Sequence, residues 1–128
     1  MSFRNLLAPL ALLFQLMSSP ALAEIWLGME VGRVPPNTAA VHDLAPGAGA
    51  HIAKVIPGSP ADQAGLESGD IILRMNYRPV RGPGSISGIA QNLQAGQSVP
   101  VQILRYGKVM QIYIVPRPRG ETPVESRY

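Results

Sequence analysis

The chain has 128 residues, of which 46% are hydrophobic, and its formal net charge at pH 7 is +3. This length leaves room for one small domain, and the basic residues are spread out rather than clustered, which argues against a nucleic-acid-binding protein. The absence of cysteine excludes disulfides, thiolate metal sites and cysteine nucleophiles.

The first 23 residues have the three parts of a secretory signal peptide. Arg4 supplies the positive charge, residues 6–17 are apolar, and residues 21–23 (Ala-Leu-Ala) form a small-x-small cleavage site. An apolar stretch of about twelve residues is too short to span a bilayer comfortably as a helix. We therefore expect export to the periplasm with cleavage after Ala23 and no stable membrane span afterwards. Retention of the leader as an uncleaved anchor is the alternative that the sequence leaves open.

After the predicted cleavage site, residues 25–31 indicate a turn and an alternating strand. Residues 32–50 lack a sustained period, although Asn37 is suited to cap a short helix. Residues 52–73 then predict strand, tight turn, short helix, tight turn and strand. Ser59 is a natural N-cap, Pro60 fits the first helical position, and Gly65 is a natural C-terminal stop.

The last third of the chain predicts one more helix and a hairpin. Ser85 is suited to cap the helix, whose apolar residues fall at i, i+3, i+4 and i+7, with Ser87 away from that face. Residues 99–105 and 109–115 alternate around a turn and would close the sheet. Residues 117–128 are rich in proline and charge and are expected to be disordered.

Residues 55–73 read V-I-P-G-S-P-A-D-Q-A-G-L-E-S-G-D-I-I-L. This string resembles the signature of bacterial PDZ domains, such as those of the HtrA/Deg periplasmic serine proteases, and residues 26–29 and 101–107 extend the match. The resemblance implies an α+β fold over residues 24–116. The fold would be a small, five- to six-stranded, mainly antiparallel and partly open β-barrel or sandwich with two short helices. The protease domain of the HtrA/Deg proteins is not expected in this chain.

The resemblance also implies where a ligand would bind. The carboxylate-binding loop, whose backbone N–H groups converge on a peptide's terminal carboxylate, would consist of Trp26, Leu27, Gly28 and Met29. The peptide would pair with a strand made of Met29, Glu30 and Val31. The far wall of the groove would be the helix face made of Ile86, Ile89, Ala90 and Leu93. Gly28 is expected to matter for binding, because a ligand that approaches the backbone closely leaves no room for a Cβ atom.

One residue type departs from the family pattern. HtrA-type domains usually carry a basic residue just upstream of the carboxylate-binding loop, where this chain has Glu24 and Ile25. We hypothesise that the free α-amine of mature Glu24 replaces the missing cation.

The function that the resemblance implies is binding of hydrophobic protein C-termini or extended segments by β-strand addition. The protein would be a periplasmic adaptor or regulator of envelope proteins, without a cofactor or metal. The alternative is a scaffolding subunit of an envelope protease or secretion complex that uses surfaces outside the groove. The chain's own C-terminal residue, Tyr128, is hydrophobic, so capture of this tail in cis or between subunits also stays open.

The sequence does not predict an enzyme. His42 and Asp43 are neighbours on a helix and do not face each other. No serine lies in a nucleophile-elbow context, and no HExxH, CxxC or P-loop motif occurs. A divergent enzyme that depends on His42 or His51 is the weakest of the alternatives.

Overall fold

A computed structural model describes residues 25–119 of the chain. The predicted leader, the residue Glu24 and residues 120–128, including Tyr128, lie outside the described residues. In chain order the elements are β1 (Ile25–Trp26), β2 (Met29–Gly32), α1 (Pro36–Val41), β3 (Ala50–Val55), α2 (Pro60–Ala64), β4 (Ile71–Met75), β5 (Arg78–Pro79), α3 (Pro83–Ala90), β6 (Val99–Arg105), β7 (Lys108–Ile114) and β8 (Arg117–Pro118).

Six strands form one open sheet in the order β2-β3-β4-β6-β7, with the short β5 paired to β4. Strands β1 and β8 form a separate two-stranded ribbon, and every pairing between named strands is antiparallel. The prediction of an α+β, mainly antiparallel and partly open fold is confirmed. The described residues contain three short helices where the resemblance implied two. The additional helix, α1, begins at Pro36, so Asn37 lies inside it and does not cap it as expected.

The core lies between the inner face of the sheet and helix α3. The strand residues without solvent exposure are Ala50, Ile52, Ile72, Met75, Val99, Val101, Ile103 and Ile114. Ile86 and Ile89 of α3 pack against them, together with Leu93 just beyond the helix. Burial of such side chains is the main favourable term in the folding of a domain this small.

The predicted turn–helix–turn is confirmed. The Ser59 Oγ accepts a hydrogen bond from the Asp62 N–H at 3.1 Å, as an N-cap does, and Pro60 follows at the first helical position. Gly65 ends the helix in the left-handed region, at φ 91°. Helix α3 differs from its prediction, since it begins at Pro83 rather than after Ser85. The Ser85 Oγ instead accepts a hydrogen bond from the Arg81 N–H.

The ordered part of the chain extends past the boundary predicted at residue 116. The register of the β1–β8 ribbon pairs Ile25 with Pro118 and Trp26 with Arg117. The Pro116 side chain is fully buried, and its carbonyl accepts a hydrogen bond from the Gly96 N–H at 2.9 Å. These contacts hold the segment in place, although its proline and charge content predicted disorder.

A buried ion pair joins the turn after α2 to the end of β6. Asp70 is 2% exposed, and its carboxylate accepts hydrogen bonds from Arg105 Nε at 2.8 Å and Nη2 at 2.7 Å. One carboxylate oxygen also accepts from the Glu67 N–H at 2.9 Å, and Arg105 donates to the Gly65 carbonyl at 2.8 Å. The hydrogen bond to Asp70 raises the pKa of Arg105 above its usual value.

We expect Asp70→Asn to destabilise the domain by about 2–3 kcal/mol. This is slightly below the cost of breaking a fully buried pair, because the Arg105 side chain is 18% exposed. Glu67→Gln is the matched control: its carboxylate lies 3.6 Å from Arg105 Nη1 and its side chain is 58% exposed, so the loss should stay below about 1 kcal/mol. Urea unfolding followed by circular dichroism measures both. Equal losses in the two variants would show that burial of Asp70 does not matter.

Candidate functional site

Two residues, Leu27 and Gly28, connect β1 to β2, and the scaffold holds both of their carbonyl groups. The Leu27 carbonyl accepts a hydrogen bond from the Ala61 N–H at 2.9 Å. The Gly28 carbonyl accepts from the Ile56 N–H at 2.9 Å and from the Ser59 hydroxyl at 3.2 Å. Within residues 25–119, neither the Leu27 N–H nor the Gly28 N–H donates to a backbone carbonyl. The fold therefore fixes the shape of this loop through its carbonyl groups. The N–H groups of Leu27 and Gly28 take no part in the backbone hydrogen bonding of the described residues.

Glycine at position 28 is required by packing inside the protein. Its φ is +84°, and a Cβ atom there would lie 2.0 Å from Ser59 Cβ and 2.5 Å from Ser59 Oγ. Ser59 is itself fully buried. The sequence suggested that a ligand's close approach requires glycine here. The structure adds a stronger requirement, because the loop packs directly against Ser59, the N-cap of α2.

A cleft of about 310 Å³ begins at this loop and runs between β2 and α3. Its lining residues, almost all uncharged, are Ile25, Trp26, Leu27, Gly28, Met29, Val31, Ile56, Ile86, Ser87, Ala90 and Arg119. Strand β2 lies at the edge of the large sheet, with β3 on one side and no described strand of that sheet on the other. Within the described residues, the cleft therefore combines an open strand edge, a lining made mostly of apolar residues, and a loop with two amides that donate to no backbone carbonyl.

The four predicted loop residues, Trp26, Leu27, Gly28 and Met29, all line the cleft. Of the predicted strand residues, Met29 and Val31 line it, whereas the Glu30 side chain is exposed outside it. This alternation follows from the period of two along a strand.

The predicted helix face is divided between the cleft and the core. Ile86 and Ala90 line the cleft, but Ile89 and Leu93 do not, and with 6% and 5% exposure they belong to the core cluster. Ser87, which was expected to lie away from the apolar face, also lines the cleft. The apolar stripe of a helix marks the face turned to the core, and the groove borders only one edge of that stripe.

Sequence reasoning missed Ile25, Ile56 and Arg119 as lining residues. Arg119 follows β8 and reaches the cleft because β8 pairs with β1, next to the loop. In the same ribbon, the Arg117 guanidinium lies 5.4 Å from the centre of the Trp26 ring and donates to the Gly58 carbonyl at 2.5 Å. No local pattern in the sequence signals a pairing between strands of two residues at opposite ends of a domain.

Metal sites and membrane-spanning helices were also considered for the described residues. Within residues 25–119, no three His, Cys, Asp or Glu side chains lie close enough together to hold a metal ion. None of the helices in that range has the length and apolar character needed to cross a membrane.

Comparison with known proteins agrees with this geometry. Residues 51–105 match the family model of the PDZ domain. The domain is a PDZ domain. It is similar to a probable periplasmic serine endoprotease, DegP-like, of Marinomonas sp., with 34% identity over 85% of this chain and 23% of that protein. This chain thus spans about a quarter of the length of that relative.

Solved structures show the same fold. A variant of the HtrA-type protease AlgW, solved with a decapeptide, superposes with a TM-score of 0.71 at 26% identity, over 91% of this chain and 37% of that one. The PDZ domain of HtrA3, bound to a phage-derived ligand (FGRWV), superposes with a TM-score of 0.64 at 18% identity, over 83% of this chain and 96% of that one. The latter likeness concerns the fold alone.

The contact between Gly28 and Ser59 predicts a large cost for Gly28→Ala. We expect a loss of at least about 3 kcal/mol, because the added Cβ both overlaps Ser59 and strains a left-handed backbone. Gly47→Ala is the matched control: its φ is +82° and nothing lies within 4 Å of the added atom, so the loss should be about 1 kcal/mol. Chemical unfolding of both variants measures the difference. Equal losses would show that backbone strain alone explains the glycine.

Proposed function

We propose that the PDZ domain binds hydrophobic C-termini, or extended segments, of other proteins by adding them as a strand to the free edge of β2. The observation that carries this proposal is the position of the loop amides. They lie at the end of an apolar cleft that runs along an edge strand, which is the arrangement that β-augmentation uses.

Each part of the cleft has a role in this mechanism. The main chain of β2 pairs with the ligand backbone, and the N–H groups of Leu27 and Gly28 donate to the terminal carboxylate. Met29, Ile86 and Ala90 surround the last side chain of the ligand, so an apolar residue is favoured there. A short peptide loses conformational entropy when it docks, so affinities on the order of micromolar are expected.

The biological role proposed is that of a periplasmic adaptor or regulator of envelope proteins. The predicted leader supports export, and the DegP-like relative is named as periplasmic. The decapeptide in the AlgW structure supports peptide binding. No catalytic activity is proposed for the domain, because a PDZ domain is a binding module.

A second candidate function is that of a scaffolding subunit of an envelope protease or secretion complex. It is favoured by apolar side chains exposed on and after the other edge strand of the sheet, β7. Val109 is 59% exposed, Tyr113 53% and Val115 46%, and none of them lines the cleft. Exposed apolar groups along an edge strand are typical of surfaces that other proteins cover.

Peptide binding by the full chain, purified after export, tests the first function. We expect pentapeptides with an apolar last residue, FGRWV among them, to bind as free acids. Their C-terminal amides should bind about tenfold more weakly or worse, because hydrogen bonds to a charged carboxylate contribute about 1.5–3 kcal/mol. Fluorescence anisotropy measures both affinities.

Ala90→Lys places a charged side chain on the cleft wall and should weaken binding of every peptide by tenfold or more. Ala40→Lys makes the same change on the exposed side of α1, away from the cleft, and should leave affinity unchanged. If no peptide binds, or if both variants bind like the unchanged protein, the cleft is not the binding site. The scaffolding function then becomes the better proposal.

A further inference from the structure

Strand β7 is an edge strand of the large sheet, at the opposite end from β2. It pairs with β6 in an unbroken register, its only charged residue is Lys108 at its start, and it contains no proline. Edge strands usually carry charges, prolines or bulges that prevent pairing with another chain. Strand β2 has an exposed Glu30 and a register shift beside it, whereas β7 lacks such protection between its ends.

The geometry of the β6–β7 hairpin determines which backbone groups of β7 face the free edge. Tyr106 and Gly107 form a two-residue loop with φ values of 51° and 77°, as in a type I′ turn. The flanking residues Arg105 and Lys108 are then a hydrogen-bonded pair, and such pairs recur at every second residue. The residues of β7 whose N–H and C=O groups point away from β6 are Val109, Gln111 and Tyr113.

The contacts around β7 agree with this assignment. Pro100 lies opposite Tyr113, and its carbonyl accepts a hydrogen bond from the Asn76 N–H, on the β4 side of β6, at 2.8 Å. Helix α2 packs near β7, where Ala61 and Ile114 belong to the same buried cluster. Within residues 25–119, however, no backbone hydrogen bond joins α2 to β7. The edge thus offers three N–H and three C=O groups for pairing.

We propose that β7 pairs antiparallel with β7 of a second copy of this chain, about a two-fold axis at Gln111. In this register Gln111 faces its own counterpart, and Val109 faces Tyr113 of the partner subunit. Every outward N–H and C=O group of both strands is then paired, whereas a shifted register leaves some of them opposite residues outside β7. This inference goes beyond the proposed peptide binding and does not depend on it.

The side chains are compatible with this register on both faces of the sheet. Val109 is 59% exposed and Tyr113 is 53% exposed, and a pair of a β-branched and an aromatic residue is favourable across strands. On the other face, the flexible Met110 faces Ile112 of the partner subunit, which is half-buried in this chain. The two Lys108 residues lie about 20 Å apart, beyond the screening length of about 8 Å at physiological salt. The strand is therefore complementary to a second copy of itself in hydrogen bonding and free of like-charge repulsion.

Such a dimer leaves both peptide clefts open, because β2 and β7 lie at opposite edges of the sheet. One continuous sheet crosses the two-fold axis, and one cleft lies near each of its outer ends. The pairing is isologous, so it closes at two copies.

Sedimentation equilibrium of the full chain purified after export tests the pairing. We expect a monomer–dimer equilibrium. Val109→Lys places a charge in the interface and should weaken dimerisation about tenfold or more. Val41→Lys is the matched control, since Val41 lies on α1, is 79% exposed, and should leave dimerisation unchanged. Both positions are exposed, so we expect both variants to fold.

Disulfide crosslinking tests the register. The chain contains no cysteine, so a single introduced cysteine can pair only with its own counterpart. In Gln111→Cys the two Cα atoms lie about 5.5 Å apart, and mild oxidation should give a covalent dimer on a non-reducing gel. In Val109→Cys the two cysteines are separated by about 14 Å along the strands and should not crosslink.

Three results would overturn the proposal. A protein that stays monomeric up to about 1 mM leaves β7 to a different partner protein. A dimer that Val109→Lys weakens no more than Val41→Lys forms through another surface. Crosslinking of Val109→Cys rather than Gln111→Cys excludes the register centred on Gln111. Peptide binding enters none of these measurements, so the proposed function is tested separately.

Discussion

The contact between Gly28 and Ser59 is the point on which the rest of the site depends. A single buried hydroxyl caps α2 through the Asp62 N–H and also holds the Gly28 carbonyl. The absence of a side chain at position 28 lets the two backbones come this close. The turn–helix–turn around Ser59, which has the strongest sequence signal, therefore contacts the Leu27–Gly28 loop of the candidate site. The position of the loop depends on that helix.

The turn–helix–turn could be predicted because its signals are local. Ser59, Pro60 and Gly65 each suit one position of a short helix, and the structure places each of them there. The loop residues could be placed for a different reason, since the family resemblance extends to residues 26–29.

Two parts of the site could not be predicted, each for a physical reason. Periodicity identified the apolar face of α3, but residues of that face contact both the core and the cleft. The way in which α3 packs on the sheet determines that Ile89 is buried and that Ser87 lines the cleft, and this packing is not visible in the sequence of the helix. The β1–β8 ribbon joins strands of two residues at opposite ends of the domain. Composition around Arg117 indicated disorder, whereas contacts with residues distant in sequence, among them the Trp26 ring and the Gly58 carbonyl, hold that segment.

The central claim is that a peptide adds to the edge of β2 with its C-terminus at the loop. A titration of the ¹⁵N-labelled protein with a free-acid peptide, followed by two-dimensional NMR, tests it most directly. The largest shifts should fall on the amides of Leu27, Gly28 and Met29, with smaller shifts along β2 and α3. Shifts confined to β7, or none in the loop at saturating peptide, would contradict the claim.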